Sequence, residues 1–339
     1  MAEERLKSLF EQCTGRKAVS IVQINSKGAG GRRYYEITDS EGGRMFGVQG
    51  TNPEEDEAFY RLSLEFEKRG LRTPCVYGIS EDRMCYLQQY LGTTTLDDLL
   101  GNPSCPSGET TLHPAPCTLH LLKQVMHDLA DIQFGARGEE VYKLCYPVPS
   151  MDAMSVMFDL NYFKYCFVKL RGVEFNEVRL QHDFERLTKD ILEDMSDTFL
   201  YRDFQARNVM VYEGTPYYID YQGGRRGPVF YDVASFVWDV RADFPEHIKS
   251  VLVGEYLDAL QQYMPMTREE FMPRLRKFIL FRGLQALGAF GFRGLWEKKQ
   301  LMADCIPAGL RDLRWLADEG TIDAYPELKS IAYTLTTNH

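Results

Sequence analysis

Residues 200–232, LYRDFQARNVMVYEGTPYYIDYQGGRRGPVFYD, constrain the fold of this chain more than any other stretch. Val209 to Tyr212 and Pro216 to Asp220 read as two short apolar strands joined by a Glu-Gly-Thr turn, which is a hairpin signal. A hairpin brings the residues just before its first strand beside those just after its second. Asp203 and Asn208 are therefore expected next to Asp220, around a space that suits a hard divalent cation and a polyphosphate. A bare Asp-x4-Asn pair recurs by chance in any chain of this length. Tyr-Arg-Asp-x4-Asn followed by strand, turn, strand, Ile-Asp-Tyr, Gly-Pro and Asp-Val-Ala is far rarer. The competing account is structural: Asp203 and Asn208 cap turns, and Asp220 ends a strand.

The full pattern resembles the aminoglycoside phosphotransferase and choline kinase family, kinase-fold enzymes that phosphorylate small molecules. Its wording, Arg-Asp-Phe-Gln-x-Arg-Asn with Ile-Asp-Tyr-Gln-Gly-Gly-Arg, is most similar to a bacterial branch that includes anomeric kinases of cell-wall amino sugars. The likeness runs from about Ile21 to about Tyr263, and only residues 200–232 are of motif grade. It implies an α+β, protein-kinase-like two-lobed fold. Residues 1–90 would form a nucleotide-binding lobe, a five-stranded antiparallel sheet with one main helix. Residues 91–339 would form a larger, mostly helical lobe with the catalytic loop and acceptor pocket. The resemblance also implies ATP and Mg²⁺ as cofactors, Asp203 as the base, and Asn208 and Asp220 as metal ligands. Asp232, after Gly-Pro, is expected to accept hydrogen bonds that hold the catalytic loop.

Composition narrows the partners. A formal net charge of −10 does not favour a nucleic-acid or anionic-membrane surface. The eight cysteines include no Cys-x2-Cys pair, which argues against zinc and against a disulfide scaffold and makes a reducing cytoplasm the expected location. The first residues, MAEERLKSLFEQ, read as an amphipathic helix and not as a signal peptide. The longest apolar run, Phe278 to Phe292, is broken by Arg282 and is too short to span a bilayer.

In the N-terminal part, Ala18 to Asn25 and Arg32 to Asp39 read as strands around Ser-Lys-Gly-Ala-Gly-Gly. Gly28, Gly30 and Gly31 would let backbone amides approach phosphates, although a plain flexible turn suits the same residues. The third strand, Arg44 to Gly50, departs from the kinase pattern, because it carries no Lys for the α and β phosphates. The nearest cations are Lys27, Arg32 and Arg33; Arg32 or Arg33 is expected to reach the phosphates, unless both are solvated on a strand edge. Pro53 to Arg69 is a helix with early acids, from which Glu57 can pair with Arg32 or Arg33 or simply face solvent. Pro74 to Ile79 and Met84 to Gln89 complete the sheet. Gln89 to Gly92 then reads as a hinge at which Gln89 and Leu91 would meet the adenine edge. Thr95 and Asp98 form a capping box.

In the C-terminal part, Gly101 to Pro116 reads as a loop at the cleft rim and Leu119 to Phe134 as a helix. His120 and His127 lie seven apart on that helix, which does not suit metal ligation. Ser155 to Leu170 and Phe175 to Met195 are helices, the second with Phe184, Leu187, Ile191 and Met195 on a core stripe. Asp159, Tyr162 and Tyr165 on the first are candidates to line the acceptor pocket, although aromatics at helical spacing also suit a core. Arg207 would touch phosphate or acceptor, or face solvent. Helices over Pro245 to Tyr263, Arg268 to Phe292 and Ile306 to Leu316 read as scaffold, with Trp296 and Trp315 packing. The gap from Asp220 to Asp232 is too short for a peptide-docking segment, so the acceptor is expected to be a small molecule, foremost a sugar or amino sugar. Choline or an aminoglycoside would suit an acidic, aromatic-rich lobe, and a non-catalytic nucleotide-binding module would suit the missing Lys.

Overall fold

A computed structural model of the chain describes residues 2–24, 31–101 and 116–337. Lys27, Gly28, Gly30 and nearly all of the Gly101–Pro116 loop lie outside the described residues. Helix α1 (Ala2–Thr14) precedes strands β1 (Ala18–Ile24), β2 (Arg33–Asp39) and β3 (Arg44–Gln49). Helix α2 (Pro53–Lys68) is followed by β4 (Val76–Ile79) and β5 (Cys85–Gln89). The five strands form one antiparallel sheet in the order β1-β2-β3-β5-β4.

Alternation along β2 explains how the sheet is covered. Tyr35 and Ile37 turn to one face, where Leu6, Leu9 and Phe10 of α1 pack with Cys85 and Leu87. Val48 and Tyr86 turn to the other, against Phe59, Leu62 and Phe66 of α2. Helix α2 starts where its sequence says it should: Asn52 accepts the N–H of Glu54 at 3.0 Å, Pro53 occupies the first turn, and Glu54, Glu55 and Asp56 follow.

Beyond the sheet come α3 (Leu96–Leu99), α4 (Pro116–Gly135), α5 (Glu139–Tyr142), α6 (Ala153–Phe163) and α7 (Glu177–Leu192). Strand β6 (Thr198–Leu200) precedes the hairpin of β7 (Val209–Tyr212) and β8 (Thr215–Tyr218), and β9 (Arg225–Gly227) pairs back with β6. The chain ends through α8 (Phe230–Val237), α9 (Glu246–Leu260), α10 (Arg268–Phe290), α11 (Gln300–Ala303), α12 (Ile306–Asp318) and α13 (Pro326–Thr337). The Thr95–Asp98 capping box is present at α3. Two long helices expected from the sequence are shorter: α6 and α10 each pass into a π turn, at Lys164–Val168 and Gly291–Trp296. Helix α13 has no counterpart in the sequence reading, and Trp296, expected to pack, is 68% exposed. Trp315 does pack, stacked on Trp238 at 6.2 Å. His127 bonds Glu255 at 3.0 Å, an ordinary helix-to-helix contact between α4 and α9.

One apolar cluster runs from Val48, Phe59 and Tyr86 through Leu122, Tyr256 and Phe278. The fold is thus a sheet lobe set on a mostly helical lobe, joined by a continuous core. Phe59 stacks on Tyr221 at 4.9 Å, and Ser63 and Tyr221 share a 2.5 Å hydrogen bond. Helix α2 is in this way seated directly on the segment that follows the hairpin. No described helix is long and apolar enough to cross a membrane.

Candidate active site

The hairpin forms as its sequence demands. Val209 pairs with Tyr218 and Tyr212 with Thr215, so the turn is Glu213-Gly214, with φ of 51° and 76°. Two positive φ angles in a two-residue turn match the twist of the strands they join. At the open end, Ile219 N–H donates to Asn208 O at 3.0 Å, which sets Asn208 beside Asp220. Asn208 Nδ2 donates to Asp203 O at 2.8 Å and to Asp220 Oδ2 at 3.3 Å. Asp203, Asn208 and Asp220 therefore converge, as expected.

Asp232 lies under this group with no solvent exposure. Its carboxylate accepts Tyr201 N–H at 2.8 Å and Arg202 N–H at 2.9 Å, with Gln133 Nε2 at 3.4 Å. Burial nevertheless pushes its pKa up to about 7, against the pull of those donors. Arg202 has φ of 77°, a strained backbone for a residue with a Cβ. The two bonds to Asp232 hold that strained residue immediately before Asp203.

Asp203 itself is partly exposed, and among the described residues its carboxylate has no hydrogen bond or ion pair. Asp220, also left-handed at φ 71°, has its pKa raised by burial and then by the charge of Asp203, against Gln222 and Arg32. Gln222 Nε2 donates to Asp220 Oδ1 at 2.7 Å and to Glu55 Oε1 at 3.2 Å. Asp220, its carboxylate repelled by Asp203, offers oxygens that fit Mg²⁺, a hard cation that takes few protein ligands and completes its shell with phosphates and water, and Asn208 would add Oδ1 by turning the amide whose Nδ2 faces Asp220. No cluster of three His, Cys, Asp or Glu able to hold a metal occurs among the described residues.

Where β3 carries no Lys, Arg32 stands beside Asp220. Its guanidinium meets Glu55 at 2.8 Å, Asp56 at 3.3 Å and Asp220 at 3.4 Å, with its side chain 11% exposed. Arg33 points to solvent instead. Glu57 is not the partner: it pairs with Arg83 at 2.6 Å. Two residues advance about 200° around a helix, so Glu57 faces away from the side that Glu55 presents to the cleft. Asp56 is buried against Gly50, where a Cβ would stand 1.5 Å from Asp56 Oδ2. That oxygen has no hydrogen-bond partner, and burial pushes the Asp56 pKa up to about 6 although Arg32 pulls it down.

At the hinge, Gln89 gives its N–H to Cys75 O at 2.8 Å, and its side-chain oxygen accepts Cys75 N–H at 3.3 Å. Its N–H is thus committed to the sheet. Leu91 follows the strand with its side chain buried, so only its backbone can face a ligand. Gly31 is exposed at the head of β2.

Beside Asp203 opens a cavity of about 250 Å³. Tyr162 and Arg207, candidates from the sequence, line it together with Gln205. Asp159 does not: it is buried behind the wall, 3.8 Å from Arg202, and Tyr165 is exposed over Lys164 at 4.5 Å. Most of the remaining wall comes from α8, the turn after it, α10 and α12, of which α10 and α12 read in sequence as mere scaffold. Arg282 was legible only as a break in an apolar run, Gln205 only as a member of the loop motif, and Asp239 not at all.

Residues 165–273, which include the whole hairpin, match the model of the phosphotransferase enzyme family. Over 291 residues the chain is 26% identical to an N-acetylmuramate/N-acetylglucosamine kinase of Neisseria meningitidis serogroup B, covering 84% of this chain and 81% of that one. Among solved structures, choline kinase from Cryptosporidium parvum Iowa II superposes with a TM-score of 0.57 at 12% identity, over 91% of this chain and 93% of that one. A macrolide 2'-phosphotransferase from Brachybacterium faecium gives 0.56 at 13% identity, over 90% and 96%. The GDP and kanamycin complex of APH(2")-IIia gives 0.58 at 11% identity, over 91% and 98%. The fold is the one these kinases share.

Proposed function

We propose, from the premise that this chain is a small-molecule phosphotransferase of the family its hairpin matches, that it moves the γ-phosphoryl group of ATP to a hydroxyl of a sugar or amino sugar. The observation that carries this is the convergence of Asp203, Asn208, Asp220 and Arg32, with Asp203 also lining a cavity sized for a small acceptor. Asp203 takes the proton of the acceptor hydroxyl, a role its unengaged carboxylate is free to play. Asn208 and Asp220 are the side chains placed to hold Mg²⁺, which when bound neutralises charge on the β and γ phosphates. Arg32 offers the phosphates a guanidinium from the sheet lobe, oriented by Glu55 and Asp56. Asp232 keeps the loop before Asp203 in its strained form. The backbone beyond β5, at Leu91, is the adenine-facing stretch, and a cytoplasmic location follows from the need for ATP.

ADP release with Mg²⁺ and ATP, measured over N-acetylhexosamines, plain hexoses, choline and kanamycin, tests the reading. Turnover is expected on a sugar and is expected to vanish with EDTA. ATP binding without turnover on any acceptor overturns it.

A further inference from the structure

The residues that follow the hairpin divide their duties between the two lobes. Asp220 is assigned to the metal, and Tyr221 is buried beneath α2, stacked on Phe59 and bonded to Ser63. Gln222 reaches α2 as well, at its first turn. Its Nε2 donates to Asp220 Oδ1 at 2.7 Å and to Glu55 Oε1 at 3.2 Å. The bond to Asp220 is shorter than those from Arg32 Nη1 and Asn208 Nδ2 to the same carboxylate, at 3.4 Å and 3.3 Å. Arg32 Nη2 in turn meets Glu55 Oε1 at 2.8 Å, so Asp220, Gln222, Glu55 and Arg32 close a ring across the lobes. Gly224 N–H donates to Tyr221 O at 2.9 Å, which holds Gln222 in a tight turn.

The neighbours of Gln222 explain why an amide stands there. Its nitrogen carries two protons, one for each flanking carboxylate. A carboxylate at this position would set a third negative charge against Asp220 and Glu55, and an amide turned over would aim its oxygen at both. As it stands, Oε1 is buried without a partner, on a residue only 7% exposed. An unmet buried acceptor costs stability, and costs of this kind are kept where a geometry has a use. The geometry secured is that of Asp220: Oδ1 is drawn towards α2, and Oδ2 stays on the side of Asn208. Asp220 needs such support, since its own backbone is left-handed at φ 71°.

Resting on the phosphotransferase reading above, we propose that Gln222 is a positioning residue for the metal: it ties Asp220 to Glu55, so that the affinity of the site for Mg²⁺ depends on helix α2 of the sheet lobe. The clamp is distinct from the part given to Arg32. Arg32 offers charge to the phosphates, whereas Gln222 has none to offer and acts only through the carboxylate it bonds. Loss of the clamp therefore weakens the metal and spares the metal-free nucleotide.

ADP binding to the full chain is measured by calorimetry with excess Mg²⁺ and again with EDTA, and the ratio of the two affinities reports the metal. Gln222→Met keeps the length of the side chain and removes both protons. It is expected to lower that ratio about tenfold, a bond to a charged group being lost, with the EDTA affinity held within about twofold. In turnover the same split is expected: the Mg²⁺ concentration at half-maximal rate rises about tenfold, while kcat at saturating Mg²⁺ changes little. Glu55→Ala is expected to lower the ratio too, and the double variant falls short of the product of the two losses, because both cut one clamp. An unchanged ratio in Gln222→Met, a matching loss with EDTA, or losses that multiply in full in the double variant overturns the assignment. So does a wild type whose ADP affinity Mg²⁺ leaves unmoved. Mg²⁺-dependent ADP binding with no transfer to any acceptor counts against the preceding reading alone, since the ratio is read without an acceptor. Should Gln222→Met fold poorly by circular dichroism, Gln222→Asn, one methylene too short to reach both carboxylates, reads the same ratio.

Discussion

Arg32→Ala separates the structural and functional duties of one side chain. In the folded protein Asp56 is ionised at neutral pH because Arg32 keeps its pKa at about 6 in spite of burial. Without the guanidinium the folded-state pKa rises further, and Asp56 takes up a proton when ionisation becomes the costlier choice. That protonation caps the loss: with the wild-type value at about 6, the most Asp56 can cost is about 1.4 kcal/mol at pH 7 and about 2.7 kcal/mol at pH 8. The sign follows from proton counting. A carboxyl raised in the folded state binds more protons there than unfolded, so its contribution is lost as pH rises. The mutant should therefore match the wild type near pH 6 apart from lost packing, then fall behind by up to about 1.4 kcal/mol per pH unit, less whatever solvent at the rim screens. Urea unfolding at pH 6, 7 and 8 reads this directly. Arg32→Ala with Asp56→Asn should remove the Asp56 share of the pH dependence, leaving that of Asp220, without recovering KM for ATP, which is expected to rise at least tenfold in both variants. A pH-independent stability loss refutes the Asp56 argument, and an unchanged KM refutes the phosphate role.

Asp203→Asn should lower kcat by about 10²–10⁴-fold while ATP binding, followed by calorimetry, persists. Asp232→Ala leaves the buried N–H groups of Tyr201 and Arg202 without an acceptor, at about 1–3 kcal/mol each, and should reduce both the midpoint of urea unfolding and kcat. Gly50→Ala drives a methyl into Asp56 Oδ2 and should cost about 1–3 kcal/mol, recovered by adding Asp56→Ala, which removes the obstructing carboxylate.

What the sequence revealed depends on how local the determinant is. The hairpin and its three converging polar residues were legible because turn chemistry and strand alternation act over a few residues, and β7 and β8 obey both. Arg32 was legible as one of two candidates, but choosing it over Arg33 needs the face of β2 that turns to the cleft. Its partners, Glu55 and Asp56, were not foreseen, and Glu57 was offered only as one possibility, because a helix first turn rich in acids gives no hint of which azimuth meets a distant strand. The cavity was invisible for a different reason. Helical periodicity reports that one face of α10 is apolar, not that α8, α10 and α12 leave a concavity between them. Arg282, which breaks the apolar run from Phe278 to Phe292, was the available signal. In sequence it excludes a membrane span; in space it charges a pocket.

On the proposed reading the transfer apparatus lies in residues 203–232 together with Arg32, whereas most of the cavity wall beside Asp203 lies in residues 279–316. Drift in the later stretch can retune which molecule is accepted while leaving the machinery of transfer untouched, and a chimaera that exchanges only α10 to α12 would be the economical way to graft a new appetite onto this scaffold.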